Sequence, residues 1–181
     1  MLYTVGHGTR SVGDLAAILA DAGVGRLVDV RRHPGSRRNP HLSQASLSVE
    51  LPARSVTYEW WGEELGGRRS ISAESRHPAW RDPAFQGYAD HMDSAEFREA
   101  LSRLLSSTVA GPPVAVMCAE TLWWKCHRRL IADAATVRGS TVVHLLGLGK
   151  RDLHPSNPSM RVGEDGWPVY DIGIDRPFNM P

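Results

Sequence analysis

The sequence predicts an α/β fold: a three-layer sandwich with a mostly parallel central sheet of about five strands, helices on both faces and a short C-terminal hairpin. Three observations carry this expectation. Short apolar runs, Leu2 to Val5, Leu27 to Arg31 and Pro113 to Cys118, alternate with stretches of helical periodicity. The run PVAVMC is apolar at both alternations, as a strand covered on both faces must be. Strand, amphipathic helix and strand with short connections make a βαβ unit, which implies a parallel pair.

The first strand ends at Gly6-His7-Gly8. Ser11 can cap the helix that follows, and Val12, Leu15, Ala16, Leu19 and Ala22 fall on one face of it. Gly23 and Gly25 end that helix, and Arg26 to Arg31 reads as a second, largely buried strand. Residues 32 to 41 form a loop with two prolines and no acid. A helix is expected over Ser43 to Leu51 and a third strand over Thr57 to Trp61. Residues 62 to 83 carry EELGGRR and several prolines, the composition of a long surface loop. Helices follow over Ala84 to Met92 and Ala95 to Ser107, the second with Phe97, Leu101, Leu104 and Leu105 as its apolar stripe. After the fourth strand a helix is expected over Trp124 to Arg138 and a fifth strand over Thr141 to Leu146. MRVG and PVYD flank Asp165-Gly166 as a hairpin. One α/β domain is expected over 1–181, with a core of 2–146 and a C-terminal extension of 147–181.

The 181 residues are 41% hydrophobic and 23% charged, with a formal net charge of +1. A chain of that length and balance buries a core without staples, and it is neither a coiled coil nor a long disordered tail. No apolar run approaches the roughly 18 to 20 residues of a membrane span. The N-terminus lacks a signal-peptide layout, and two cysteines cannot staple a secreted scaffold. A cytoplasmic protein without a membrane partner is expected; nothing in the sequence sets an oligomeric state.

Ligands of such sheets bind beyond the carboxyl ends of the strands. Those ends deliver His7; Arg31, Arg32 and His33; Glu63 and Glu64; and Cys118 with Glu120. Cys118 closes an apolar strand and precedes an expected helix, whose N-terminus would lower the thiol pKa. The plainer alternative is a buried structural thiol. Glu120, Cys126 and His127 crowd the same turn and favour function. Cys118 is then nucleophile or sulfur carrier, His127 or His7 moves protons, and Glu120 orients one of them. A metal held by Cys118, Cys126, His127 and His7 competes, but the spacing C-x7-C-H matches no usual zinc pattern. A redox pair of Cys118 and Cys126 is weaker than C-x-x-C. Neither a metal nor another cofactor is expected.

The loop from Arg31 to His41 holds Arg31, Arg32, Ser36, Arg37 and Arg38 and no carboxylate. Arginine forks suit phosphate, and a Gly-Ser turn can add backbone N–H groups. A solvated surface loop is the bland reading. Trp60, Trp61, Trp80, Trp123 and Trp124 flank the rim, where they stack a base or pack the core. EELGGRR is a lid with glycine hinges or a plain connection.

YTVGHGTRS, LVDVRRHPGSRRNPH, ELGGRR, FQGYADHM and MCAETLWWKCHRRLIAD together resemble the bacterial family called domain of unknown function 488, from Leu2 to Leu146. By that resemblance His7, Asp29, Arg31, Pro34, Ser36, Gly67, Arg68, Tyr88, Cys118, Glu120, Cys126, His127 and Arg128 match the family motif. The resemblance implies a fold and a site rather than a reaction. The layout LVDVR, PVAVMC, loop, helix, TVVHLLG is also similar to rhodanese-like sulfurtransferases, whose cysteine after the central strand carries a persulfide. Cys118 takes that place. Phosphatase relatives of that layout need Cys-x5-Arg, and position 124 is Trp. The first reading is therefore an enzyme with a Cys118-centred site for a phosphate- or sulfur-containing small anion. Arg31, Arg32, Ser36, Arg37, Arg38, Arg68, Tyr88, Trp123 and Arg128 would bind the substrate. A nucleic-acid-binding or processing protein using the 31 to 41 loop is the second reading, and a non-catalytic interaction domain the third.

Overall fold

Five parallel strands and one antiparallel edge strand form the central sheet of the computed structural model, which describes residues 1–35, 39–109 and 111–173. The strands are β1 (Leu2–Gly6), β2 (Arg26–Asp29), β3 (Thr57–Trp60), β4 (Val114–Cys118), β5 (Val142–Gly147) and β6 (Lys150–Leu153), in the spatial order β3-β2-β4-β1-β5-β6. Among the described residues the helices are α1 (Val12–Asp21), α2 (Gln44–Glu50), α3 (Pro83–Met92), α4 (Ala95–Ser107) and α5 (Arg128–Val137). Ser11 and Asp14 close a capping box at the start of α1. A separate antiparallel hairpin, β7 (Met160–Val162) and β8 (Pro168–Tyr170), turns through Gly166 in the left-handed region. No helix among the described residues is long and apolar enough to cross a membrane.

Three expectations are corrected, and the sheet of about five strands gains an edge strand. The strands β1 and β2 are parallel but do not pair: β4 lies between them, with Val114 facing Leu2 on one side and Arg26 on the other. The most apolar strand takes the centre, where both its faces and both its edges are covered; all five of its residues are buried. The sheet has a sixth strand, because Lys150–Leu153 adds its backbone to β5 while every side chain stays exposed. Second, β2 stops at Asp29 and not at Arg31, since the Asp29 carboxylate takes the Arg31 backbone N–H at 3.0 Å. Finally, α5 begins at Arg128 and not at Trp124. Trp123–Lys125 make a separate 3-10 turn, and Cys126 is extended (φ −131°, ψ 147°) before the helix starts.

The connections from β1 to β2 and from β2 to β3 run toward one edge of the sheet, and those from β3 to β4 and β4 to β5 toward the other. Right-handed crossovers then put α1 and α2 on one face and α3, α4 and α5 on the opposite one. The packing agrees. Leu15, Leu19, Leu47 and Leu51 cover Val5, Leu27, Ala115 and Met117. Tyr88, Phe97, Leu101, Leu130 and Ile131 cover Leu2, Val28, Val114 and Val116. The connections diverge between β2 and β4, and such a reversal opens a crevice at the carboxyl ends of the strands.

Candidate active site

A cleft of about 350 Å³ lies at that reversal. Its walls are Arg31, Arg32 and His33 after β2, Gly67 and Arg68 after β3, Asp82, Ala84 and Phe85 at the start of α3, and Cys118, Ala119, Glu120, Lys125, Cys126 and His127 beyond β4. Four cationic side chains face two carboxylates there.

The sequence after β4 builds the inner end of the cleft. The loop stays against β1, with His7 N–H on the Cys118 carbonyl (3.0 Å) and Gly8 N–H on the Ala119 carbonyl (2.9 Å). Gly6 permits this close pass, because a Cβ there would overlap the Glu120 carbonyl oxygen. The 3-10 turn and the extended Cys126 then bring the chain back. The Sγ atoms of Cys118 and Cys126 and the Nδ1 of His127 all lie within 4.8 Å of one another. Nδ1 is 3.8 Å from Cys118 Sγ and 3.7 Å from Cys126 Sγ. His127 Nε2 donates to the Val30 carbonyl at 3.2 Å, so in the neutral ring Nδ1 carries the lone pair. Tyr88 supports that ring at a centroid distance of 4.8 Å, and Gly67 lies so close that a Cβ on it would stand 2.9 Å from Nδ1.

Both cysteines are free thiols. Burial opposes ionisation of Cys126, but the neighbouring Cys118 thiol and the positive charge of Arg128, whose Nε donates to its sulfur at 3.4 Å, outweigh it and hold this thiol low. Cys118, which is buried beside that thiol, is held high. The sequence assigns the lowered pKa to Cys118. Arg128, at the start of α5, donates its Nε–H to Cys126 Sγ at 3.4 Å, which favours the thiolate at Cys126 instead.

Several expected site residues are interior supports. Arg31 lines the cleft, but Nε and Nη2 bind the Asp29 carboxylate, and Nη1 donates to the Leu42 carbonyl (2.8 Å) and to His7 Nε2 (3.0 Å). His7 gives Nδ1–H to the Gly8 carbonyl (2.9 Å) and is not in the cleft wall. Burial, and then the Arg31 charge, lower its pKa to about 4. Arg128 is fully buried and ties Cys126 to Thr4 Oγ1 (3.3 Å) and to the Glu120 carbonyl. Tyr88 is fully buried, with its hydroxyl on the Leu65 carbonyl (2.8 Å). Trp123 stacks on His144 at 4.2 Å, inside the fold. Arg32, Arg68 and Glu120 are exposed in the cleft wall, and Arg32 Nη1 donates to the Arg68 carbonyl (2.9 Å). Ser36, Arg37 and Arg38 lie outside the described residues.

Sequence reasoning overlooks Lys125, Asp82 and Phe85 as cleft residues, since only the folded chain brings them there; Gly67, named only through the family resemblance, joins them. It also overlooks a buried relay behind Arg128. Thr4 Oγ1 meets His144 Nδ1 (2.7 Å), His144 Nε2 meets His154 Nδ1 (2.9 Å), and His154 Nε2 meets Asp133 (2.8 Å). The signal was a histidine at an inward position of the apolar strand β5, with a second one ten residues on.

Sheet, reversal point and cleft together define a doubly wound α/β fold with a cysteine- and histidine-lined cleft at its strand ends. The chain belongs to the family described as domain of unknown function DUF488, whose sequence model matches residues 11–135. Every cleft residue falls inside that match. No curated protein and no solved structure matches the chain, and the likeness to rhodanese-like sulfurtransferases is not shown.

Proposed function

We propose that this chain is a cytoplasmic enzyme whose reacting centre is the Cys118, Cys126 and His127 cluster, and that it takes a small phosphate- or sulfur-containing anion in the cleft. One observation carries the reading: two free sulfurs and an imidazole lone pair meet at the inner end of a cleft that also presents Arg32, Arg68 and Lys125. A thiol kept only for packing is surrounded by apolar atoms. These two, though part of the apolar core, also face an imidazole, and Cys126 a guanidinium. The cluster supplies the nucleophile, Glu120 moves the proton, and the exposed cations hold the anion by charge-assisted hydrogen bonds.

Calorimetric titration with pyrophosphate tests the binding half of this reading. Each lost charged hydrogen bond is worth about 1.5–3 kcal/mol, so Arg68→Ala should weaken binding about tenfold or more. Cys118→Ser should bind pyrophosphate as the parent does. Equal affinity in the parent and in a combined Arg32→Ala, Arg68→Ala variant would refute the assignment of the anion to this cleft.

A further inference from the structure

We infer that Cys118, Cys126 and His127 form a divalent-metal site suited to zinc, with a fourth coordination position facing the cleft. The inference rests on the reading of the cleft as the reacting centre and specifies its nucleophile as a metal-bound water. A thiol hydrogen-bonded to imidazole makes one short contact. Here Nδ1 stands almost equally far from both sulfurs, at 3.8 and 3.7 Å. Tetrahedral zinc with bonds of about 2.3 Å to sulfur and about 2.0 Å to nitrogen places those ligand atoms roughly 3.5 Å apart. Closing each N···S distance takes a few tenths of an ångström, and the two sulfurs, which lie within 4.8 Å of each other, close to about 3.8 Å at that bond length.

The surroundings match what a zinc ligand set needs. His127 gives its other ring N–H to the Val30 carbonyl, which fixes the tautomer and aims the lone pair. Arg128 Nε–H on Cys126 Sγ offsets thiolate charge from outside the ligand set. Two sulfurs and one imidazole favour zinc over magnesium or calcium, which take oxygen. The spacing C-x7-C-H fits no zinc knuckle because the ligands close across the loop after β4, not within one tight turn.

Three protein ligands, two Cys and one His among them, is a composition of catalytic rather than structural zinc, with water or substrate in the fourth place. His7 is no fourth ligand, since its Nε2 accepts from Arg31. Glu120 follows Cys118 by two residues, lies in the cleft wall and is outside the ligand set. Zinc brings a bound water to a pKa of about 7. Glu120 takes one proton from that water, and the hydroxide oxygen bonds to the electrophilic atom of the bound anion. The bond to the leaving group breaks, and the leaving group takes the proton from Glu120. The net change is hydrolysis, with nothing oxidised or reduced.

The test uses the full chain, its metal content measured after purification and its affinity for cobalt(II) after treatment with a chelator. One equivalent is expected, with sulfur-to-cobalt charge-transfer absorption and visible bands of tetrahedral intensity. Cys118→Ser, Cys126→Ser and His127→Ala should each weaken cobalt binding by at least about 100-fold, more than changing a residue that only hydrogen-bonds to a ligand would. Glu120→Gln should keep the stoichiometry and the spectrum. If a ligand variant fails to fold, the parent protein answers alone: zinc should protect both cysteines from iodoacetamide, and a chelator should remove that protection. Absence of cobalt absorption, together with alkylation rates unaffected by zinc, would overturn the metal site. Pyrophosphate binding that still depends on Arg68 would in that case leave the cleft reading standing, with sulfur as nucleophile. A tetrahedral cobalt spectrum unmoved by pyrophosphate or by cyanide overturns the open fourth position.

Discussion

Arg31→Met separates the arginines that hold the fold from those that face solvent in the cleft. Arg31 is 7% exposed and Asp29 0%, and the carboxylate also receives the Tyr58 hydroxyl at 2.7 Å. Methionine keeps the stem but leaves a buried carboxylate without its counter-charge and takes a donor from both Leu42 O and His7 Nε2. Breaking a buried ion pair from one side costs about 3–5 kcal/mol, and about 4 kcal/mol is expected here. At about 2–4 °C per kcal/mol for a chain of this size, Tm should fall by roughly 8–16 °C. Adding Asp29→Leu should recover part of the loss, since no uncompensated charge then stays buried. Arg68→Ala, at an exposed position, should change stability by no more than about 0.5 kcal/mol. Urea unfolding followed by circular dichroism gives these values. An Arg31→Met protein of parental stability that no longer binds pyrophosphate would refute the scaffold role and return Arg31 to the substrate.

Gly6→Ala should destabilise by about 3 kcal/mol or more, because the overlapping atom is the Glu120 carbonyl, which cannot swing away as a side chain does; unfolding at the parental urea midpoint would count against that packing. Gly67→Ala should leave the fold near parental stability but displace the His127 ring, whose Nδ1 would stand 2.9 Å from the new Cβ. Unchanged His127 ring signals in the NMR spectrum would contradict this. For pH, burial first, then His154 and Arg128, lower the His144 pKa from 6.5 to about 2. The unfolded chain therefore binds a proton near pH 6.5 that the folded chain refuses. The stability due to neutral His144 is full above about pH 6.5 and falls below it, by up to about 1.4 kcal/mol per pH unit. His144→Gln should flatten that slope between pH 6 and 4; an equal slope in both proteins would show that His144 is not its source.

The elements that could be read from the sequence are those that bury apolar residues. Strands β1 to β5 announce themselves as short apolar runs, helices α1 and α4 through an apolar stripe, and the hairpin through its turn residues. Strand β6 does not, because all four of its side chains are exposed and only its backbone pairs. Sheet order was also hidden: a βαβ unit fixes direction, not adjacency, and β4 inserts itself from 85 residues beyond β2, counting from Asp29 to Val114. The apolar pair Trp123-Trp124 reads as a helix start, whereas the extended Cys126 interrupts the chain there. Cys118, Glu120 and Arg32 stand at or near strand ends and could be placed at the rim, whereas Arg68 came only through the family resemblance. Charge alone misled for Arg31 and Arg128, because a sequence shows the cation and not its partner. For Arg31 a signal existed: Asp29 lies two residues before it, on the same side of an extended chain. No such local signal marks Lys125 or Asp82, which reach the cleft only when their loops close.

Untargeted mass spectrometry of a bacterial metabolite extract, incubated with the full chain and in parallel with Cys118→Ser, tests a reacting centre at Cys118 most directly. At least one phosphate- or sulfur-containing metabolite should disappear with the parent protein, and a product heavier by the elements of water, or the pair of fragments of its hydrolysis, should appear. The Cys118→Ser sample should match the extract without protein. Consumption of the same metabolite at the same rate by both proteins, or extracts unchanged by either, would contradict a reacting centre at Cys118.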